Sequence, residues 1–417
     1  MATIVFMGTR RVPLEVHSAL LAAHDLGYRV ALVAPAPPRF CADLLSDVEV
    51  VDIFDRPAAL KAATALAART GAAGVVSWTD IGVELAARLA ETCGFPGPPV
   101  EAAHRARNKH SMRAALRHRP ELIPRFRRVR SHADLVTARD EIGVPAVLKP
   151  AGGSGSRSIF QVDAGTDLAM LFAQAVSTTG VDVAPLFGDY PGEFVYEERL
   201  GGTEHSVEGF VHDGTVHIAG ITDKWVTEPY FVEVEQVHPT RLPADVRDRA
   251  HELTRATVAA IGLDHCAFHL ELRALPDGSV KLLEIAARPG GGYITSHLIP
   301  MSTGIAFHHD LIRIATGAAP ELARTVDRFA GTRAVVSPVA GRFEGLDGLP
   351  DVLGLWGLDH VVLEREPGGR ITLPPGDVLS AVVASAIVRS VSYDDVRDTL
   401  RRAVDLLRPR VVPDASR

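Results

Sequence analysis

The dipeptide Asp277-Gly278 constrains this chain more than any other feature, because it sets the register of a hairpin. It stands between two apolar-rich runs, His269-Leu-Glu271-Leu-Arg-Ala-Leu and Val280-Lys-Leu-Leu-Glu284-Ile. Such a pair favours a tight turn in which both central positions need φ > 0. Centring the turn there pairs Pro276 with Ser279 and, counted outward, Glu271 with Glu284. Directly opposed hairpin residues hold their Cβ atoms roughly 4.5–5.5 Å apart, and like charges there repel. A bound cation relieves the repulsion, and hard Mg²⁺ is usually held by one or two carboxylates plus substrate phosphates. The hairpin therefore suggests a metal–nucleotide site, although two exposed glutamates on a surface hairpin would show the same pattern.

The rest of the chain bounds this suggestion. At 417 residues it has room for two or three domains and a large core. Apolar residues make up 47% and charged residues 23%, as in ordinary globular proteins. A formal charge of −7 without a long basic run argues against nucleic acid or an anionic membrane as the main partner. Cys41, Cys93 and Cys266 are too scattered for a disulfide framework or a zinc site, which fits a reducing cytoplasm. The N-terminus lacks the basic start and cleavage signature of a secretory leader. No apolar run reaches the roughly 18 residues of a membrane helix.

Strand and helix patterns alternate over the first hundred residues. Thr3–Met7, Arg29–Val33, Val48–Ile53 and Gly74–Ser77 read as strands, and Pro13–Leu26, Ala58–Arg69 and Ile81–Thr92 as helices. That alternation predicts a doubly wound parallel sheet over residues 1–104. Gly94-Phe-Pro-Gly-Pro-Pro99 punctuates its end. Residues 105–196 and 197–317 read as mixed α+β, and 318–417 as a small C-terminal α+β subdomain. Within the last, a glycine- and proline-rich β segment (Gly341–Pro375) leads to a helix near Tyr393–Leu407.

The middle of the chain carries the candidate chemistry. A strand ends in Lys149-Pro150 and runs straight into Ala-Gly152-Gly153-Ser154-Gly155-Ser156-Arg-Ser158. A Gly/Ser loop after a strand can offer N–H groups and hydroxyls to phosphate oxygens. It is neither a P-loop nor a dinucleotide fingerprint, and Ser156 stands where a nucleophile elbow needs glycine. Lys109 opens a helix upstream; isolated lysines are usually solvated, so neither lysine decides anything alone. Glu197 falls at a strand end and Glu204 at the next strand's start, where carboxylates can accept from an adenine amino group and a ribose hydroxyl. Arg288 follows Glu284 by four residues, beside Gly290-Gly291-Gly292, whose glycines allow close approach to a ligand.

In this order the pieces resemble the ATP-grasp superfamily over roughly residues 1–317, with Trp78-Thr-Asp80 and Asn108-Lys109…Met112-Arg113 similar to its pre-grasp domain and junction. The resemblance implies an ATP-grasp fold in which Lys109 and Lys149 hold ATP phosphates under the loop Gly152–Ser158. It places Glu197, Glu198 and Leu200 at the adenine, Glu204 at the ribose, and Mg²⁺ (or Mn²⁺) on Glu271 and Glu284. Ala286 departs from the pattern, since many members carry asparagine there as a third ligand. Glu284-Ile-Ala-Ala-Arg288 is similar to the L-amino-acid ligases, dipeptide synthetases related to the bacilysin ligase. That likeness implies substrate roles for Glu235, Arg288, Gly290 and Gly291, and catalytic roles for Arg288 and His238.

The implied reaction joins two amino acids through an acyl phosphate, releasing ADP and phosphate. Its partners are small amino acids, with a homodimer left open. Three alternatives share the ATP motifs: a carboxylase or purine-pathway ligation, a ligase acting on a peptide, and a non-catalytic nucleotide-binding module. Neither the two amino acids nor the choice of α- or γ-carboxyl activation follows from the motifs.

Overall fold

The computed structural model describes residues 1–373 and 378–414. Pro374 and Pro375, part of the expected C-terminal β segment, lie outside the described residues. The first unit is a four-stranded parallel sheet in the order Asp47–Val50, Arg29–Ala34, Thr3–Met7, Ala72–Ser77. Thr3–Met7 is buried along its whole length, as a central parallel strand covered by helices must be. Helix Arg56–Thr70 starts on Asp55, which accepts from the Ala58 N–H at 3.2 Å, and stops at Gly71 with φ +61°. The expected strand at 48–53 ends early, because Asp52 takes the Phe54 N–H (2.9 Å) into a local turn.

Three antiparallel sheets follow, of which a three-stranded one (Arg370–Ile371, Gly341–Asp347, Arg408–Pro413) belongs to the C-terminal residues and the other two build the site. The smaller runs Phe126–Val129, Phe194–Glu198, Ala146–Pro150, Phe160–Val162. The larger has eight strands, in the order Val280–Ala286, Cys266–Ala274, Thr203–His212, Thr215–Val226, Glu233–His238, Phe329–Val336, Val382–Ser390, Leu358–Leu363. Helix Ala244–Ile261 buries Val246, Ala250, Leu253, Thr257, Val258 and Ile261, a stripe at helical spacing. The C-terminal residues are α+β and continue this sheet: Phe329–Val336 pairs directly with Glu233–His238, and helix Tyr393–Leu406 packs against it. No helix among the described residues is long and apolar enough to cross a membrane.

Glu271 does stand opposite Glu284, but by a route the dipeptide did not announce. The turn is a three-residue loop, closed by Leu275 N–H to Ser279 O (2.8 Å) and Gly278 N–H to Leu275 O (2.9 Å). Only Gly278 has positive φ, +80°; Asp277 instead accepts from the Ser279 N–H at 2.9 Å. This loop puts Leu272 opposite Leu282, one residue out of the expected register. Leu283 then bulges, and the register returns at Glu271–Glu284. Without that bulge Glu284 would point to the other face of the sheet.

Candidate nucleotide and substrate site

A cleft of about 110 Å³ lies where the two antiparallel sheets meet. Val147 and Lys149, two residues apart on one strand, both line it. Lys149 is buried, and its Nζ lies 2.7 Å from Glu197 Oε2. Burial lowers the lysine's pKa, and Glu197 works against that to keep it charged. Lys109 opens the helix Lys109–Ala115, capped by Asn108, and reaches Gly153 O at 2.7 Å and Glu284 Oε2 at 2.9 Å. Both expected lysines therefore face one cleft.

Gly153, Ser154, Gly155 and Ser156 line an adjoining space of about 180 Å³ that shares both lysines with the cleft and is the end expected to take phosphates. Gly152 does not; it backs onto Tyr190, whose Cδ2 would lie 2.3 Å from an added Cβ. Ser156 adopts φ +55° and donates its hydroxyl to Phe231 O at 2.7 Å, which fastens the loop to the larger sheet. Val147, Ile159, Leu200, Phe231 and Leu283 give the other end an apolar lining suited to a flat base. Glu204 lies there beside Arg273 (2.9 Å). Burial and nearby Glu271 push its carboxyl up to about 7, against the pull of Lys224.

Two residues expected at the adenine carry ion pairs. Glu197 pairs through Oε2 with Lys149 and through Oε1 with the fully buried Arg113 at 3.0 Å, while Oε1 makes no hydrogen bond among the described residues. Its side chain steadies Lys149. Glu198 is held by Arg125 (2.9 Å) and Lys281 (2.7 Å), although it too borders the cleft.

Lys224 is a central residue that the sequence reading missed. Its buried ammonium contacts Glu271, lies 2.7 Å from Glu233 and 3.8 Å from Glu204. Burial works against its charge, but the three carboxylates together hold its pKa well above the ordinary lysine value. The carboxylate oxygens of Glu204, Glu233 and Glu271 come within 4.8 Å of one another. A hard divalent cation fits such an all-oxygen donor set. Glu284 is not one of those three; it stands opposite Glu271 and pairs with Lys109 at 2.9 Å, and Ala286 contributes no side-chain donor. His269, also missed, lies 3.2 Å from Glu271 and 2.8 Å from Glu208.

Beyond the phosphate end the cleft opens into a cavity of about 520 Å³. Arg288 stands at the join, lining both spaces and paired with Asp80 at 2.7 Å. Burial opposes its charge, but Asp80 raises its pKa further, so it stays cationic. Gly291 and Gly292 line the same wall; Gly290 instead abuts His269.

Glu235 and His238 also need correction. Pairing of Trp225 with Glu235 and of Val226 with Glu233 leaves Val234 as a bulge, which reverses the alternation. Glu235 reaches the cavity wall, but its carboxylate is bound by Arg333 and by Arg397 (2.6 Å). His238 is fully buried, with Nδ1 2.6 Å from Ser302 Oγ and Nε2 against Gly220, and lines none of the cavities described here. Burial lowers its pKa to about 4, so it is neutral near pH 7. The acidic–polar pair three residues apart that does face the cavity is Glu233 and Gln236, joined by a 2.8 Å hydrogen bond. Gln236 Oε1 is buried without a partner.

Two antiparallel sheets closing on a lysine-lined cleft, behind a parallel α/β unit, define a nucleotide-clamping architecture. Known families agree: the ATP-grasp N-terminal domain matches residues 20–97 and the ATP-grasp domain residues 142–297. The chain belongs to the ATP-grasp superfamily. It is 27% identical over 339 residues to the uncharacterized protein y4rH of Sinorhizobium fredii, covering 80% of this chain and 67% of that protein. It is 28% identical over 236 residues to the alanine–anticapsin ligase of Bacillus subtilis, covering 53% of this chain. The match spans about half that ligase's length, 49%. The crystal structure of an L-amino acid ligase from Bacillus licheniformis superposes with a TM-score of 0.84 at 22% identity, covering 100% of this chain and 99% of that one. That last likeness establishes the fold.

Proposed function

We propose that this chain is an ATP-dependent carboxylate–amine ligase that joins two amino acids through an acyl phosphate, releasing ADP and phosphate. The observation that carries this reading is the continuity of the two spaces. The phosphate cleft and the large cavity share Arg10, Arg288 and the loop Ser154–Arg157, so a γ-phosphate and a substrate carboxylate can meet at one guanidinium. The relatedness to an alanine–anticapsin ligase supports the same chemistry.

The ion pairs of the cleft fit this use. Lys109 now rests on Glu284, and Lys224 on Glu271. A triphosphate draws both lysines to its oxygens and leaves two opposed carboxylates facing a cation. Mg²⁺, or the similarly oxygen-seeking Mn²⁺, neutralises phosphate charge when bound there. Lys149, steadied by Glu197, and Lys109 take the remaining charge, and catalysis is mainly positioning and electrostatics. The carboxylate attacks the γ-phosphorus and ADP leaves. The amine of the second amino acid then attacks the acyl carbon, passing through an oxyanion that Arg288 stabilises, and phosphate departs. Asp80 orients Arg288 for this task. The loop fastened at Ser156 shields the acyl phosphate from water.

The test is phosphate release from Mg-ATP against a matrix of paired L-amino acids, with mass spectrometry of the products. Release that needs two amino acids, with a product at their summed mass less water, is the expected result. Release with bicarbonate or formate and one amine, or with no pair at all, would remove the reading.

A further inference from the structure

Nine charged side chains line the large cavity, and six of them are already matched; Arg157, on the loop, has no ion pair within 4.0 Å among the described residues. Asp80 pairs with Arg288, Glu235 with two arginines, Glu233 with Lys224, and Glu364 with Arg11, Tyr293 and Ser385. Glu15 and Arg10 stand apart. Glu15, in the first turn of helix Pro13–Asp25, is only 7% exposed and lines the cavity. Among the described residues no cationic side chain comes within 4.0 Å of its carboxylate; burial raises its pKa, and Arg10, beyond that distance, is the strongest opposite charge acting on it. Arg10 has no carboxylate partner either, and donates to the backbone oxygen of Pro289 at 2.5 Å. Two opposite charges on one cavity wall, neither in an ion pair within 4.0 Å, can each be matched by a complementary group of a ligand.

Their order along the cavity gives the ligand a direction. Arg10 borders both the phosphate end and the large cavity, beside Gly291, whereas Glu15 borders the large cavity alone. A ligand matched to both places its negative group toward the phosphates and its positive group away from them. In a ligase that is the posture of the amino acid being activated; the attacking partner must point its amine the other way. We propose that Arg10 and Glu15 form a clamp for the activated substrate, an amino acid with a free amino group whose ammonium rests on Glu15 while its carboxylate faces Arg10 and Arg288. The clamp also keeps that ammonium protonated and turned from the acyl phosphate, so the activated molecule is not its own nucleophile. This inference rests on the ligase reading above.

Hydroxylamine separates the two substrates, because it replaces the amine partner and converts the acyl phosphate to a hydroxamate plus phosphate. A panel of single L-amino acids with Mg-ATP and hydroxylamine identifies the activated one, and its N-acetyl derivative is run beside it. In Glu15→Gln the KM for that amino acid is expected to rise on the order of 10²-fold, as for loss of a buried charge partner. The variant's preference for the free over the N-acetylated acid should collapse, with the KM values for ATP and for the second amino acid unchanged. Removing an unpaired buried charge should also leave the melting temperature of the ligand-free protein equal or higher, whereas a merely structural Glu15 would lower it. An unchanged KM for the activated acid, or a rise confined to the second amino acid, overturns the clamp and leaves the ligase standing. Tight Mg-ATP binding with no hydroxamate from any amino acid overturns the ligase reading, and the clamp with it.

Discussion

His238 offers the sharpest check on the geometry, because its sequence context suggested catalysis and its surroundings make it a core residue. Burial depresses its pKa to about 4 in the fold, against 6.5 ordinarily. The sign follows directly. Between those values the unfolded chain binds a proton that the folded chain refuses, so this contribution is intact above pH 6.5 and is lost as pH falls toward 4. At pH 5 the unfolded imidazole is about 1.5 units below its ordinary pKa, and each unit is worth about 1.4 kcal/mol. Acidifying from pH 7.5 to 5 should thus cost about 2 kcal/mol through this one side chain. His297 and His308, depressed to about 4 and about 3, act in the same direction, but equally in wild type and variant. The assay is urea unfolding at both pH values for wild type and His238→Asn. The variant should lose about 2 kcal/mol less than wild type across that interval, and its folded fraction should keep most of its turnover at pH 7.5. Equal acid losses would mean that His238 titrates normally and is not sealed in the core. A stable variant without turnover would return the residue to the mechanism.

Other outcomes test other parts of the arrangement. Gly220→Ala places a Cβ 2.0 Å from His238 Nε2 and should destabilise the fold by about 1–3 kcal/mol, read by the same urea titration. Lys149→Met should lower kcat/KM for ATP by on the order of 10²–10³, with the melting temperature as control; an unchanged value would remove the lysine from the phosphate site. Ala286→Asn, which adds a side-chain oxygen beside Glu284, should reduce the Mg²⁺ concentration for half-maximal turnover by about tenfold. No shift would show that position 286 does not face the cation. Glu197→Gln leaves Arg113 buried without its carboxylate and should cost about 3–5 kcal/mol, well beyond a lost surface pair.

How much of this was legible in the sequence turns on the parity of strands. The parallel sheet was readable because continuous apolar runs alternate with helical patterns, and no single residue decides its register. Lys109, Lys149 and Arg288 stood out because each sits at or just beyond the end of an element, and Glu271 and Glu284 because counting outward from the turn pairs them. Lys224 carried a weaker signal: in strand Thr215–Val226 it shares parity with Thr222 and Gly220, both turned inward or tightly packed, so a charge there had to be buried and paired. Bulges carried none. The one at Leu283 cancelled an error in the turn, so a correct pairing of Glu271 with Glu284 followed from an incorrect loop. The one at Val234 had no such compensation, and the same glutamate–polar spacing was assigned to Glu235 and His238 instead of Glu233 and Gln236. A bulge inserts one residue at little local energetic cost and moves every following side chain to the other face. What selects it is burial of distant partners: here Trp225 lies under Arg397, and Lys224 requires Glu233. The first joins residues far apart in the chain and the second crosses a strand connection, and no local pattern of apolar and polar residues records either.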